Sequence, residues 1–160
     1  MTTGSPQLPL ASEEATLALG AALASGAQPG GVLFLSGDLG AGKTTLVRGM
    51  LRALGWTGRV KSPTYALVET YALSRLNFYH FDFYRFKDRE EWVNSGFREH
   101  FNPDSLCVVE WPEKAGGLLP PADLHLTLEL SDPGRKASFI AHSDAGRTWR
   151  RSALGSLLSS

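Results

Sequence analysis

The segment Gly37-Asp38-Leu39-Gly40-Ala41-Gly42-Lys43-Thr44 constrains this chain more than any other stretch of it. It has the pattern glycine, four residues, Gly-Lys-Thr. It stands between a short apolar run, Val32 to Leu35, and a segment in which Leu46, Val47, Met50, Leu51 and Leu54 recur at three and four. The run fits a strand buried on both faces, and the spacing predicts a helix with one apolar side that ends near Gly55. A strand, a glycine-rich turn and a helix in that order make a phosphate cradle. The glycines let successive N–H groups point inward, the helix start adds partial positive charge, and Lys43 brings a full charge to the β- and γ-phosphates of a nucleoside triphosphate. Thr44 has a hydroxyl to place on Mg²⁺.

Magnesium is held by hard oxygen ligands, so a threonine hydroxyl alone is insufficient and a carboxylate is needed close by. Glu110 ends the run Leu106-Cys107-Val108-Val109, which puts it at the C-terminal edge of a buried strand, where open α/β sheets place their ligands. Asp82 ends a second run in which Phe78, His80, Asp82 and Tyr84 share one face and Tyr79, Phe81 and Phe83 the other, one face a core and the opposite one carrying chemistry. Either acid is also explicable as a strand-end charge in solvent, and His80 as a packed histidine. Ser62-Pro63-Thr64-Tyr65 falls where a loop could fold over the γ-phosphate, with a plain turn as the alternative.

The remaining segments alternate between helix and strand. Ser12 with Glu13 and Glu14 opens a helix through Ala24; Tyr65–Tyr71 and Leu76–Tyr84 form an antiparallel hairpin; Asp88 with Glu91 caps a short helix interrupted at Gly96. Strands follow at Leu106–Glu110, Leu124–Leu130 and Ala137–His142. The expectation is one α/β domain over 1–160 in a three-layer P-loop NTPase-like fold, a mixed and mostly parallel sheet with the hairpin inserted and helices on its faces. Residues 1–10 and the Arg- and Ser-rich stretch 148–160 are expected to be poorly ordered tails.

Composition narrows the function classes. Lys plus Arg and Asp plus Glu both number 16, so no net field draws the whole molecule to nucleic acid. The single cysteine, Cys107, excludes an internal disulfide and reads as a small buried hydrophobe. No apolar stretch approaches the roughly 18 residues of a membrane span, and the expectation is a cytoplasmic protein without membrane contact.

In order and spacing, Gly37 to Thr45, Ser62-Pro63-Thr64-Tyr65, His80-Phe81-Asp82-Phe83-Tyr84-Arg85 and Glu110-Trp111-Pro112-Glu113 resemble the TsaE family, also called YjeE, of bacterial threonylcarbamoyladenosine biosynthesis proteins. The resemblance spans about residues 12 to 140. It implies a Mg²⁺-dependent ATPase that acts as a reset factor for TsaB and TsaD in tRNA modification, slow without those partners and meeting tRNA only indirectly through them. It further implies that Leu39, Gly40, Ala41, Gly42, Lys43, Thr44 and Thr45 hold the phosphates of ATP, that Thr44 and Glu110 ligate the metal, that Asp82 supports the metal or the attacking water, and that Thr64 and Tyr65 belong to a switch. By the same resemblance Ser12 and Arg135, after Gly134, lie near the nucleotide. Trp92, where family members are expected to carry an aliphatic residue, and Tyr65, the less usual aromatic of its motif, depart from the pattern, and the region after Gly116 resembles the family only weakly.

Two other functions fit the same loop. A small-molecule kinase needs an acceptor pocket and a lid of arginines, for which Arg147, Arg150 and Arg151 are available. The Tyr65–Tyr84 hairpin, however, fills the span where such kinases build acceptor helices. A nucleotide-dependent clamp with little hydrolysis shares every phosphate-binding residue. A GTPase is disfavoured, since neither Asn-Lys-x-Asp nor a strand-following Asp-x-x-Gly is present.

Overall fold

The computed structural model describes residues 7–38 and 41–159. Its strands are β1 (Gln7–Leu10), β2 (Val32–Ser36), β3 (Val68–Ala72), β4 (Asn77–Asp82), β5 (Ser105–Glu110), β6 (Leu124–Leu130) and β7 (Arg135–Ala141). The helices are α1 (Glu13–Gly26), α2 (Lys43–Ala53), α3 (Arg89–Ser95) and α4 (Asp144–Ser159). The strands form one sheet in the order β1-β7-β6-β2-β5-β4-β3. Its four central strands, β6, β2, β5 and β4, run parallel, while β3, β7 and β1 are added antiparallel at the flanks. The inserted hairpin is thus β3–β4, two strands at one edge.

Alternation along the central strands divides the interior into two cores. Leu33 and Leu35 of β2, Leu106 and Val108 of β5, and Phe78 of β4 pack beneath α1, α2 and α4. Phe34, Cys107, Val109, Phe81 and Phe83 face the opposite way, against Trp92 of α3 and Phe97. Helices on one face, sheet, and a thinner helical layer on the other give the expected three layers. Both faces of β4 are therefore core, a refinement of the one-core expectation. The face shared by Phe78, His80 and Asp82 is apolar at its start and polar only where the strand ends.

Local chemistry accounts for the helix starts. Ser12 accepts from the Ala15 N–H at 3.2 Å, and Asp88 accepts from the Glu91 N–H at 3.2 Å, each satisfying an N-terminal donor of its helix. Glu91 reaches back to the Lys87 N–H rather than to that of Asp88, one residue short of a strict capping box.

The tails differ from expectation. β1 pairs with β7 through Gln7↔Ser138 to Leu10↔Arg135, so residues 7–10 belong to the sheet. Residues 148–159 continue α4, which is docked on α1: Trp149 and Ala153 are buried, and the Trp149 indole donates to the Leu23 carbonyl at 2.8 Å. The physical reason is the spacing of Trp149, Ala153, Leu154 and Leu157 along one helix side, an apolar stripe that the Arg and Ser content conceals. No helix among the described residues is long and apolar enough to cross a membrane.

Candidate functional site

The C-terminal edge of the parallel strands and the start of α2 enclose a cleft of about 290 Å³ lined by Gly42, Lys43, Thr44, Thr45, Ser62, Thr64, Asp82, Glu110, Trp111 and Arg135. Asp82 and Glu110 are register partners across β4 and β5, which sets the two carboxylates side by side. A second cleft, of about 260 Å³, is lined by Ser12, Thr16, Gly134 and others and shares Gly42, Thr45 and Arg135 with the first. Ser12 and Arg135 meet because β1 and β7 pair: Leu10 is opposite Arg135, and Ser12 follows two residues on. The two antiparallel strands at this flank are what bring the chain's early and late segments to the loop.

Of the residues expected at the site, Ala41 is buried immediately before it, and Lys43, Thr44, Thr45, Thr64, Asp82, Glu110 and Arg135 share the first cleft. Ser12 lines the second. Leu39 and Gly40 lie outside the described residues.

The start of α2 breaks the rule the other capped helices follow. Its N-cap is Gly42, at φ 103°, a left-handed backbone that favours glycine, and no side chain caps it. The first turn holds no acid and begins with Lys43, a cation at the positive end of the helix. A helix start with no side-chain cap and a lysine in its first turn is unfavourable alone and favourable against an anion.

Lys43 is almost fully buried and occupied by internal partners. Its ammonium donates to the Gly37 carbonyl at 2.6 Å, stands 3.5 Å from Glu110 Oε1, and lies 4.8 Å from the centre of the Trp111 ring. Glu110 Oε2 is 2.6 Å from His80 Nε2. Burial pushes the Glu110 carboxyl up, but the hydrogen bond and charge of His80, together with Lys43, outweigh it and hold the group below the usual carboxylate range. Asp82 is shifted the other way: burial raises it and neighbouring Glu110 adds to the rise, against the lowering effect of the Tyr84 N–H bound to its Oδ1 at 2.9 Å. The two adjacent carboxyls are thus driven in opposite directions, one held ionised and one more readily protonated.

Two non-glycine residues with positive φ flank this pair: Leu67 (68°), at the end of the Ser62–Tyr65 loop, and Trp111 (55°), directly after Glu110. Backbone strain of this kind concentrates at functional sites. Leu67 ties the loop to the site, its N–H bonded to the Pro63 carbonyl and its carbonyl to the Asp82 N–H. Within the loop, Ser62 and Thr64 hydroxyls are 2.6 Å apart. Tyr65 is exposed, with the Arg85 guanidinium 4.5 Å from its ring centre, and Tyr84 packs beside Trp111 at the cleft rim. In the sequence His80 is explicable as a packed histidine, and Trp111 figures only in the motif that follows Glu110. The structure puts one against Glu110 and the other against Lys43. The even spacing of His80 and Asp82 was the available signal for the first.

The donor set suits magnesium only in company. Among the described residues no group of three or more His, Cys, Asp or Glu side chains could hold a metal. Thr44 and Glu110 could offer two oxygens, and a small octahedral cation would take the rest from phosphate and water, as it usually does beside nucleotides.

Sheet, loop and helix together define a P-loop fold, the class in which a strand-to-helix loop binds phosphate. The model of the family described as threonylcarbamoyl adenosine biosynthesis protein TsaE matches residues 10–137, and the chain belongs to that family. It is similar to the tRNA threonylcarbamoyladenosine biosynthesis protein TsaE of Haemophilus influenzae, 49% identical over 116 residues, covering 72% of this chain and 73% of the relative. The protein of the same name from Bacillus subtilis is 39% identical over 129 residues, 80% of each chain. The crystal structure of Bacillus subtilis YdiB superposes with a TM-score of 0.80 at 30% identity, covering 96% of this chain and 98% of that one.

Proposed function

We propose that this protein is a Mg²⁺-dependent ATPase that serves tRNA threonylcarbamoyladenosine formation as an accessory to TsaB and TsaD. One observation carries the nucleotide reading: Lys43, Thr44, Thr64, Asp82 and Glu110 line a single cleft at the uncapped start of α2. The pathway rests on family membership and on the names of the relatives.

The polyphosphate of ATP lies along the loop, its oxygens taken by the first N–H groups of α2 and by the Lys43 ammonium, which leaves the Gly37 carbonyl for the phosphate. The second cleft, between Ser12 and Arg135, receives the nucleoside end. Thr44 and Glu110 would hold Mg²⁺, which when bound would supply neutralisation of phosphate charge. Asp82 and Thr64 stand where a water is oriented for in-line attack on the γ-phosphorus, with release of phosphate and ADP. Positioning and electrostatics supply the rate enhancement.

A kinase is less well supported. Arg147, Arg150 and Arg151 line neither cleft, and the groove bordering α4 is formed with Gly30 and Gly31, before β2 and so at the other end of that strand from the loop. The test is phosphate release from ATP by the purified protein, alone and with TsaB and TsaD. Stimulation by the partners is the expected result. A labelled phosphate carried to an added small molecule would replace this function with a kinase, and ATP bound but never cleaved, partners present, would leave a clamp.

A further inference from the structure

His80 lies on β4 with 1% of its surface exposed, two residues before Asp82 on the strand face that looks toward α2. Its Nε2 is 2.6 Å from Glu110 Oε2, and its Nδ1 is buried with no hydrogen-bond partner among the described residues. A carboxylate oxygen and a ring nitrogen approach this closely only with a proton between them. Glu110, held ionised beside the Lys43 ammonium, is the acceptor, so the imidazole proton is on Nε2.

The consequence is directional. Glu110 has two oxygens, and His80 occupies Oε2, so Oε1 is the oxygen offered to the cleft, where Lys43 stands 3.5 Å away. A carboxylate at the end of a strand otherwise rotates freely about its last bond. An imidazole fixed in the core by β4 removes that rotation and enforces single-oxygen binding. Ligating carboxylates with such partners hold their metals more tightly than those without.

We propose that His80 is a positioning residue: through its Nε2–H it locks the Glu110 carboxylate so that Oε1 alone faces the cleft as ligand for a phosphate-bound divalent cation. This rests on the ATP and Mg²⁺ reading above and adds to it the residue that sets metal affinity.

Two polar variants separate positioning from packing. The amide of Gln reaches about as far as Nε2 and can donate to Glu110, whereas that of Asn ends near Nδ1 and cannot. ATP affinity is measured by calorimetry in EDTA and across a Mg²⁺ titration, with thermal melts confirming that each variant is folded. The His80→Asn protein is expected to need about 10- to 100-fold more Mg²⁺ for half-maximal enhancement of ATP binding. Its affinity in EDTA should stay within about threefold of wild type, and His80→Gln should restore the Mg²⁺ midpoint to within about threefold. The proposal is overturned if folded Asn and Gln variants share one midpoint. Where a variant does not fold, long-range ¹⁵N–¹H spectra of the wild-type protein decide: a His80 proton on Nε2 supports the proposal and an Nε2 without one overturns it. A wild-type protein whose ATP binding ignores Mg²⁺ would remove the metal reading and this proposal with it. Mg²⁺-dependent binding in wild type with an unshifted Asn variant would remove this proposal alone.

Discussion

The Lys43 ammonium and the Glu110 carboxylate stand 3.5 Å apart, both almost entirely out of solvent, and each neutralises the other at the point where a nucleotide phosphate would enter. A buried pair of this kind costs desolvation on both sides, and breaking it by removing one partner strands the other. On the proposed function, phosphate would offer Lys43 a better acceptor set and a divalent cation would offer Glu110 a better charge. Ligand and metal would then substitute for an interaction that already exists.

Replacing Lys43 with Met follows directly. The variant keeps the length of the side chain and the contact with Trp111 but loses the charge. Affinity for Mg²⁺ and ATP should fall roughly 100-fold, the scale of one or two charge-assisted hydrogen bonds. Calorimetry checks it, and unchanged affinity would detach the loop from the nucleotide.

Asp82 predicts a trade between stability and activity. Its carboxyl is raised above the ordinary value mainly by burial, so folding favours the protonated form. The stability it contributes is fully present below the unfolded-chain value and is lost as pH rises through the higher folded value; at neutral pH the ionised group is a net cost. Asp82→Asn keeps an oxygen for the Tyr84 N–H and removes the charge. Thermal melts should show the variant more stable than wild type at pH 7, with the gain shrinking as pH falls through the raised folded value and gone below about 4, near the unfolded-chain value. Phosphate release should drop by about 100-fold or more if Asp82 helps orient the attacking water.

Much of this architecture was legible because the relevant signals are local. The loop from Gly37 to Thr44, the apolar strands ending at Asp82 and Glu110, and the caps at Ser12 and Asp88 all follow from neighbouring residues. What escaped depends on distant pairing. The family resemblance alone brought Ser12 and Arg135 together, and residue pattern could not, because their shared cleft requires β1 against β7, two segments more than a hundred residues apart, one of them expected to be a tail. The His80 bond to Glu110 requires β4 beside β5 in a particular register. The positive φ of Leu67 and Trp111 left no mark in residue type, since glycine or asparagine is the usual sign.

Gly20 and Gly49 allow α1 and α2 to cross with backbones nearly touching. A Cβ on Gly49 would meet the Leu17 carbonyl oxygen at 2.5 Å, and one on Gly20 would meet the Leu46 carbonyl in the same manner. Alanine gains about 1 kcal/mol of helix propensity over glycine. Here the clash is with backbone, which cannot rotate away, and the helices must separate at a cost of about 1–3 kcal/mol or more. Gly49→Ala is therefore expected to be less stable than wild type in urea unfolding despite its better propensity. Its ATP affinity should weaken too, because α1 carries Ser12 and α2 carries Lys43.

The docking of α4 gives the last prediction. Trp149 is buried against α1 and its indole N–H is bonded to the Leu23 carbonyl, while no residue of α4 lines either cleft. Truncating a buried tryptophan loses its apolar burial and leaves a cavity, on the order of 3–5 kcal/mol. Trp149→Ala should lower the unfolding free energy obtained from urea denaturation by that amount, while the folded fraction keeps wild-type ATP affinity within about twofold. Trp149→Phe should recover part of the loss, since it refills most of the space without the hydrogen bond. A Trp149→Ala protein as stable as wild type would show the helix frayed in solution, as the Arg- and Ser-rich composition suggests on its own. Lost affinity in a fully folded Trp149→Ala protein would mean instead that α1 transmits the packing of α4 to Ser12 at its opposite end.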